Sequence, residues 1–337
     1  MRFNLGIAVI MALVSSCAVA AKEFPFCKGK FAKRDEICKK FHFPPPGQGR
    51  TCVTPKNGTT FFDISDLPKT TFSDHGRKMA QLITNVFENG NKQFQYQYVE
   101  YLGDGRGYTS GRIGFTTGTN DAYRLIKKYY KKKKSPLSRF LPELKRLSDL
   151  SFCSTKRDDI SGLKGYKKAW KRAACKDADF RKAQDKAVQQ MYMEPALRFA
   201  GYAKVKTELG KAMLYDVIIQ HGWQYTEPDI NIWRLINLSG GPRRKNESES
   251  SFLMRLITTR REMACCANDD VWPESASRMD DWMTVIRSKN FDLKKPVVLK
   301  NFGVTVTGKE NPRVLNKKEC KPFLKKGGGG GDDDEDN

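Results

Sequence analysis

The first clear pattern in the chain is an apolar stripe on a predicted helix that ends near Gly90. Its members recur at spacings of three and four, as on one helix face: Met79, Leu82, Ile83, Val86 and Phe87. Glu88 then falls at the C-terminal end of this helix, where a carboxylate meets the negative end of the helix dipole. Its charged form is disfavoured there, as a proton donor near neutral pH requires.

A second pattern follows at once, in which aromatic residues alternate with glutamines from Phe94 to Tyr98. This alternation predicts a strand. Four glycines between 103 and 111 then surround Asp104, and so many glycines predict a tight hairpin with little side-chain cover. One carboxyl at a helix end and one on a hairpin suit two acid–base roles across a cleft. On spacing alone, however, two carboxylates beside glycines are more typical of surface residues.

The rest of the chain is predicted to be largely helical. The helical patterns cover residues 122–130, 137–150, 163–175, 177–193, 203–220, 250–264 and 275–288, and strand-like pieces follow at 296–302 and 304–307. Asp216 lies inside one of these helices, close to its apolar stripe, so it needs a cationic partner. A chain of more than three hundred residues can bury a large core.

The N-terminus predicts secretion. Residues 1–20 have Arg2 near the start, an apolar run and a small-residue ending, and together they fit a signal peptide cleaved after Ala20. A buried N-terminal helix is the alternative. The run is too short to span a membrane, and no longer apolar stretch follows. We therefore expect a secreted, extracellular protein without a transmembrane segment.

Eight of the nine cysteines follow the signal, and an even number in a secretory context predicts disulfides, although not their pairing. Three of the cysteines lie in residues 21–66, a separate-looking extension that would be a wall-binding appendage or, as we favour, a cover on the main domain. Residues 67–310 form the predicted main domain. Residues 311–337 are basic, then Gly- and Asp-rich, and the acidic tail is expected to be disordered.

The run from Asn85 to Asp121, with its ENG, GDGRGYT and GF elements, resembles the signature of the family 46 chitosanases. This resemblance implies a mainly helical, two-lobed α+β fold, similar to the lysozyme-like superfamily, with a small β-hairpin sheet beside the cleft. It also implies endo-hydrolysis of β-1,4 bonds between glucosamine units, with inversion and without a metal or an organic cofactor. Glu88 would protonate the leaving oxygen. Asp104 would activate the attacking water, which Thr109 helps to hold.

The resemblance extends to two further sets of residues. Matching positions that would line the sugar subsites are Tyr98, Arg106, Thr119 and Asp121. A buried network that would orient Glu88 matches Asp216, Arg260 and Arg278. The alternatives are packing for Tyr98, turn capping for Thr119 and ordinary surface charges for the network. Asn268 stands where some members have a histidine, which puts the subsite contacts on that side in doubt.

The charge balance bears on the substrate, because 61 Lys and Arg against 38 Asp and Glu give a net charge of +23. A uniformly basic surface would repel chitosan, itself a polycation. We therefore expect an acidic cleft formed by Glu88, Glu100, Asp104 and Asp121. The basic runs at 131–134 and 156–182 would form a solvated face elsewhere, or bind an anionic wall polymer or nucleic acid.

Three functions remain open from the sequence. They are a chitosanase, a lysozyme-like muramidase or chitinase, and a non-catalytic basic protein that binds cell walls. We expect a monomer.

Overall fold

The computed structural model describes residues 24–41, 43, 63–131, 135–151, 154–223, 231–267 and 271–324. Several of the sequence predictions concern other residues and so lie outside the described part. They are the signal peptide at 1–20, two of the cysteines, part of the basic run at 131–134, the departure at Asn268 and the acidic tail. The two cysteines concerned are Cys52 and Cys153.

The described residues form thirteen α-helices. The first six are α1 (Asp35–Cys38), α2 (Asp74–Asn89), α3 (Asp121–Tyr130), α4 (Leu141–Asp149), α5 (Tyr166–Lys176) and α6 (Ala178–Val188). The others are α7 (Glu194–Tyr202), α8 (Glu208–His221), α9 (Ile232–Leu238), α10 (Glu249–Cys266), α11 (Val271–Glu274), α12 (Ala276–Arg287) and α13 (Lys317–Leu324). Short 3-10 turns lie at Gly29–Phe31, Lys39–Phe41, Pro136–Phe140, Thr155–Asp158, Ser161–Leu163 and Lys300–Phe302.

Two small antiparallel sheets accompany the helices. The first contains β1 (Val99–Tyr101), β2 (Tyr108–Ser110) and β3 (Phe115–Thr116), in that spatial order. The second pairs β4 (Val297–Leu299) with β5 (Val304–Val306). In the first sheet Tyr101 lies opposite Tyr108, so residues 102–107 form the predicted glycine-rich hairpin loop.

The helices pack as two groups. In the smaller group α3 contacts α4 and α6, α5 contacts α6, and α3 and α5 contact the first sheet. The larger group is formed by α2, α7, α8, α9, α10 and α12. The π-helix Gln189–Met193 makes α6 and α7 one continuous helical run between the groups. The mainly helical architecture with a small hairpin sheet is therefore confirmed.

The helix predicted over 177–193 neither ends at 193 nor continues as a regular α-helix, and Pro195 explains why. Proline has no backbone N–H, so the carbonyl of Met191, one turn earlier, loses its helical partner. The indole of Trp223 donates to that carbonyl at 3.1 Å. The chain passes this point through a π turn, a form that occurs where an α-helix accommodates a local break.

The strand predicted over 94–98 is wrong, because the strand begins at Val99. Residues 94–98 contain a turn in which the N–H of Tyr98 donates to the carbonyl of Gln95 at 3.1 Å. The carbonyl of Tyr96 accepts from Trp170 at 3.0 Å and from Gln184 at 3.1 Å, so two helices supply donors that a neighbouring strand would give.

The helix predicted over 203–220 also begins late, at Glu208. The side chain of Thr207 caps it by accepting from the N–H of Gly210 at 3.0 Å. The carboxylate of Glu249 accepts from the N–H of Thr207 at 3.0 Å and from that of Lys206 at 2.8 Å. These bonds hold 206–207 outside the helix, which the apolar periodicity alone could not reveal.

Three disulfides connect described residues. The adjacent Cys265 and Cys266 of α10 pair with Cys27 and Cys38, with Cα atoms 5.4 and 5.3 Å apart. The third joins Cys175 of α5 to Cys320 of α13.

The described part of the N-terminal extension packs on the main body. Phe31 and Phe41 are buried there, and the guanidinium of Arg261 stacks 3.9 Å from the ring centre of Phe31. This contact supports the covering interpretation, while the domain boundaries at 20, 66 and 310 stay predictions.

None of the described helices combines the length and the apolar character needed to cross a bilayer.

Candidate active site

Glu88 is positioned by both ends of α2. At the N-terminus Ser73 accepts from the N–H of Gly76 at 2.9 Å, and at the C-terminus Gly90 adopts a left-handed φ of 67° and donates to Val86 at 2.8 Å. The predicted apolar stripe faces the core, with α2 lying along α8. The carboxylate of Glu88 is left on the last turn with 30% of its side chain exposed.

A chain of charged groups lies behind Glu88. Arg278 donates from Nη2 to Oε1 of Glu88, and the same nitrogen lies 3.1 Å from Oδ1 of Asp216. Oδ2 of Asp216 accepts from Nη1 of Arg260 at 2.7 Å and from the indole of Trp282 at 2.9 Å. Asp216 and Arg260 are fully buried and Arg278 is 5% exposed, so these are not ordinary surface charges.

This series of contacting side chains extends beyond Arg260 to His221. Nε of Arg260 donates to Nε2 of His221 at 2.9 Å, and the imidazole stacks on Trp272 with ring centres 4.7 Å apart. Burial and the two arginines lower the pKa of His221 well below 6.5, so the ring is neutral and can accept this bond. Burial also lowers the pKa of Arg260 to about 10, while Asp216 opposes that shift.

Electrostatic balance keeps this cluster stable. Burial opposes the charge of Arg278, but the carboxylates of Asp216 and Glu88 raise its pKa above the ordinary value. Two guanidinium groups thus face two carboxylates, which is the condition for holding buried charges. Glu88 lies both at the C-terminal end of α2 and against the guanidinium of Arg278.

The second carboxylate, Asp104, stands on the hairpin loop with 26% of its side chain exposed. It is held by Arg106, whose Nη2 and Nε donate to Oδ2 at 2.8 and 3.1 Å and whose backbone N–H donates to Oδ1 at 3.1 Å. These three bonds fix the orientation of the Asp104 carboxylate on the loop.

The base of the hairpin is fixed by Asp158. Its carboxylate accepts from the N–H of Gly107 at 2.7 Å and from the hydroxyl of Tyr101 at 2.6 Å. Gly107 has a φ of 71°, and a Cβ there would lie 2.2 Å from Oγ1 of Thr117. Only glycine fits this position, so the conformation of the loop that carries Asp104 depends on it.

Thr109 lies in β2, directly opposite Glu100 on one side and Thr116 on the other. Its hydroxyl is buried and has no hydrogen-bond partner among the described residues. A buried hydroxyl without a partner is uncommon in folded proteins and is often found where a site binds something else.

Asp121 begins α3 and is held by two hydroxyls. Its Oδ2 accepts from Thr119 at 3.3 Å and from Tyr192 at 2.9 Å. Burial raises the pKa of Asp121 to about 6, although these hydrogen bonds and Arg124 favour the carboxylate. Thr119 bonds to the side chains of Asp121 and Thr116 and does not cap α3, whose N-cap is Asn120.

Tyr98 is partly buried at the entrance to β1. Burial, followed by the charges of Glu100 and Asp104, raises the pKa of its hydroxyl. Glu100 and Asp104, two of the acidic side chains expected in the cleft, therefore lie close enough to Tyr98 to act on its hydroxyl.

The structure joins some of the predicted residues and separates others. Asp216, Arg260, Arg278 and Glu88 form one connected chain, Asp104 pairs with Arg106, and Asp121 bonds to Thr119. Within the described residues no hydrogen bond or ion pair links Glu88 to Asp104. Glu88 lies on α2 in the larger group of helices, whereas Asp104 lies on the hairpin loop between β1 and β2.

Sequence reasoning missed three residues that support the site. Trp282 follows Arg278 by four positions, so helical spacing could have placed both on one face. Tyr192 lies in the π turn, for which Pro195 was the only signal. Asp158 had no signal, because its contacts with the hairpin join distant parts of the chain.

Comparisons with known proteins identify the family. The profile of glycosyl hydrolase family 46 matches residues 82–297. The chain belongs to glycosyl hydrolase family 46. It is therefore a glycoside hydrolase, and the resemblance seen in the sequence is confirmed.

Individual relatives agree with this assignment. A chitosanase of Bacillus subtilis (strain 168) is 38% identical over 229 residues, which cover 66% of this chain and 80% of the relative. A chitosanase of Nocardioides sp. (strain N106) is 29% identical over 235 residues, covering 68% and 80%.

Solved structures resemble the fold over the same region. A mutant chitosanase from Bacillus subtilis MY002, complexed with 6 GlcN, gives a TM-score of 0.60 at 34% identity and covers 71% of this chain and all of its own. A family 46 chitosanase of Gynuella sunshinyii in complex with chitotetraose gives a TM-score of 0.62 at 30% identity, covering 70% and 98%.

Proposed function

We propose that the protein is a secreted endo-chitosanase that cleaves β-1,4 bonds between glucosamine units with inversion at the anomeric carbon. The observation that carries this proposal is the pair of differently held carboxylates, Glu88 at the end of α2 and Asp104 on the hairpin loop. The named relatives are chitosanases, and two of the solved relatives are complexes, one with 6 GlcN and the other with chitotetraose.

In the proposed mechanism Glu88 is the general acid. Its carboxyl group would donate a proton to the oxygen of the leaving sugar, so that the glycosidic bond breaks without a charged leaving group. Arg278 holds the side chain in place, and Asp216 holds Arg278. Asp216 and Arg260 then act by positioning, because they reach the substrate only through other residues.

Asp104 is the proposed general base. It would take a proton from a water molecule that attacks the anomeric carbon from the face opposite Glu88. Arg106 holds the Asp104 carboxylate in place through its guanidinium. The buried hydroxyl of Thr109, which has no partner among the described residues, is the proposed second contact for that water.

Substrate selection would depend on the charge of glucosamine. Asp121 lies in a desolvated position where a carboxylate attracts an ammonium strongly. An N-acetyl group carries no charge and would lose this attraction. Tyr98, Arg106 and Thr119 are proposed to line the neighbouring sugar positions.

Secretion is proposed from residues 1–20, which have the composition of a signal peptide. The three disulfides between described residues support an oxidising compartment, because such bonds are rare in the cytosol.

The deciding experiment compares three polymers and records the first product. Purified protein is incubated with chitosans of graded acetylation, with colloidal chitin and with peptidoglycan, and reducing ends are counted. The chitosan of lowest acetylation should be cleaved fastest, and proton NMR should show the α-anomer first. Faster cleavage of chitin or peptidoglycan would overturn the substrate, whereas a β-anomer formed first would overturn the inverting mechanism.

A further inference from the structure

The outer face of α5 carries an uncompensated positive charge. Its eleven residues, YKKAWKRAACK, contain five cations and no carboxylate. The apolar side of the helix, including Tyr166 and Trp170, is buried, so the cations lie on the solvent side. They are Lys167, Lys168, Lys171, Arg172 and Lys176.

These five cations have no ion-pair partner among the residues that the structure describes. Neighbouring carboxylates are already engaged. On α6, Asp179 lies 3.5 Å from Lys182, and Asp185 accepts from Arg313 at 3.0 Å. On α13, Glu319 accepts from Asn316 at 2.7 Å. Among the described residues, therefore, none of these three carboxylates forms an ion pair with a cation of α5.

The missing counter-charge is present in the same chain. Residues 332–336 read DDDED, a block of five carboxylates, and five consecutive glycines at 327–331 precede them. The block follows α13, which packs on α5 and is bonded to it through Cys175 and Cys320, whose Cα atoms are 5.4 Å apart.

The length of the connection suffices for the block to reach the whole face. Asp332 is eight residue steps from Leu324, with seven residues between them, and at ~3.3 Å per step the connection spans up to ~26 Å. Lys167 is eight helical residues from Cys175, or ~12 Å at 1.5 Å per residue. Leu324 is four helical residues from Cys320, or ~6 Å. The sum of these two distances and the 5.4 Å between the Cα atoms of the disulfide is smaller than the span of the connection.

We propose that the acidic block at 332–336 docks on the cationic face of α5 and keeps external polyanions away from it. Length and position favour this intramolecular contact, because a short glycine connection gives an effective concentration in the mM range. Non-specific binding of nucleic acid by a basic surface has a dissociation constant of roughly 10⁻⁴–10⁻⁶ M at physiological salt, and we take the weak end, about 10⁻⁴ M, for a block of only five charges. Competition from the block should therefore weaken polyanion binding by roughly tenfold at low salt.

The contact itself is tested by zero-length cross-linking of the full chain with a carbodiimide at 50 mM NaCl. This reagent joins a carboxylate to a lysine amine only when the two are in contact. Mass spectrometry should find amide links within one chain from 332–336 to the α5 lysines. Links only to lysines elsewhere, links only between two chains, or none at all would overturn the proposal.

The competition is tested with fluorescent poly-L-glutamate, whose binding does not require enzymatic activity. The variant with Asp332→Asn, Asp333→Asn, Asp334→Asn, Glu335→Gln and Asp336→Asn should bind poly-L-glutamate roughly tenfold more tightly than the unchanged protein at 50 mM NaCl. This gain in affinity should shrink at 0.5 M NaCl, because salt screens the charges. A matched pair of triple variants shows whether the gain depends on α5. The α5 variant carries Lys168→Gln, Arg172→Gln and Lys176→Gln, and the control carries Lys245→Gln, Lys289→Gln and Lys309→Gln.

The gain should disappear in the α5 variant and persist in the control, whose three lysines are exposed and lie outside α5. A gain of equal size in both backgrounds would mean that the carboxylates act only through net charge. No gain in the otherwise unchanged protein would mean that the block does not compete at all. Either result would overturn the proposal, whatever the activity on chitosan.

Discussion

Removal of the carboxylate of Asp216 should destabilise the protein severely and reduce its activity. In Asp216→Ala the fully buried Arg260 loses its 2.7 Å partner, and Arg278 loses a neighbour at 3.1 Å. The indole of Trp282 also loses its acceptor. Breaking a buried charge pair from one side costs about 3–5 kcal/mol, because the remaining charge stays buried. Activity should fall as well, because Arg278 would no longer be held against Glu88.

Urea unfolding and kcat on chitosan measure the two effects separately. Asp216→Asn serves as a second variant that keeps the volume and one acceptor but removes the charge, so most of the stability loss should remain. Asp149→Ala is the control, because its ion pair with Lys145 is exposed on both sides and should leave stability unchanged within error. A loss below about 1 kcal/mol in Asp216→Ala would refute the importance of this network.

Three other predictions concern the hairpin and the substrate. The pKa of Asp121 is raised to about 6 from 3.8, so the folded protein holds this proton more tightly than the unfolded chain. The free energy of unfolding of the wild type, measured in urea, should therefore fall relative to that of Asp121→Asn as the pH rises from 3.8 to about 6. Asp121→Asn should raise KM for chitosan chiefly above pH 6, where the wild-type side chain is charged. Gly107→Ala should cost about 1–3 kcal/mol and lower kcat, measured by melting and initial rates. Sodium chloride up to ~0.3 M should leave kcat/KM unchanged or raise it, because screening weakens distant repulsion most. Three results would contradict these expectations: a stability difference between wild type and Asp121→Asn that does not change with pH, a Gly107→Ala variant with wild-type stability and kcat, or a kcat/KM that falls steeply with salt.

Local signals determined which parts of the fold could be predicted. The stripe on α2, the stop at Gly90 and the glycine-rich hairpin all depend on neighbours in sequence, and each was found where expected. The strand expected at 94–98 failed because the carbonyl of Tyr96 is satisfied by Trp170 and Gln184, which are more than seventy residues away in the chain. Periodicity cannot register such distant donors.

In the candidate site, too, some residues could be predicted from the sequence and others could not. The helical context of Asp216 indicated that it needed a cation, but only the resemblance to the family pointed to Arg260 and Arg278. Tyr192, which bonds to Asp121 at 2.9 Å, depends on the π turn and could not be found from spacing. The disulfide pairing could not be predicted either, because eight cysteines allow about 105 different pairings and the sequence alone does not choose among them.

The most direct test of the proposed catalytic pair is the initial rate of reducing-end release from chitosan by Glu88→Gln and by Asp104→Asn. Both variants should remain folded, because 30% of the Glu88 side chain and 26% of the Asp104 side chain are exposed. Glu88→Gln should lower the melting temperature more than Asp104→Asn, because it removes one of the two carboxylates that balance Arg278. Each should lose roughly 10²–10⁴-fold in kcat, the amount that a general acid or base contributes. A folded Glu88→Gln or Asp104→Asn that cleaves chitosan within tenfold of the wild-type rate would contradict the assignment of these two carboxylates.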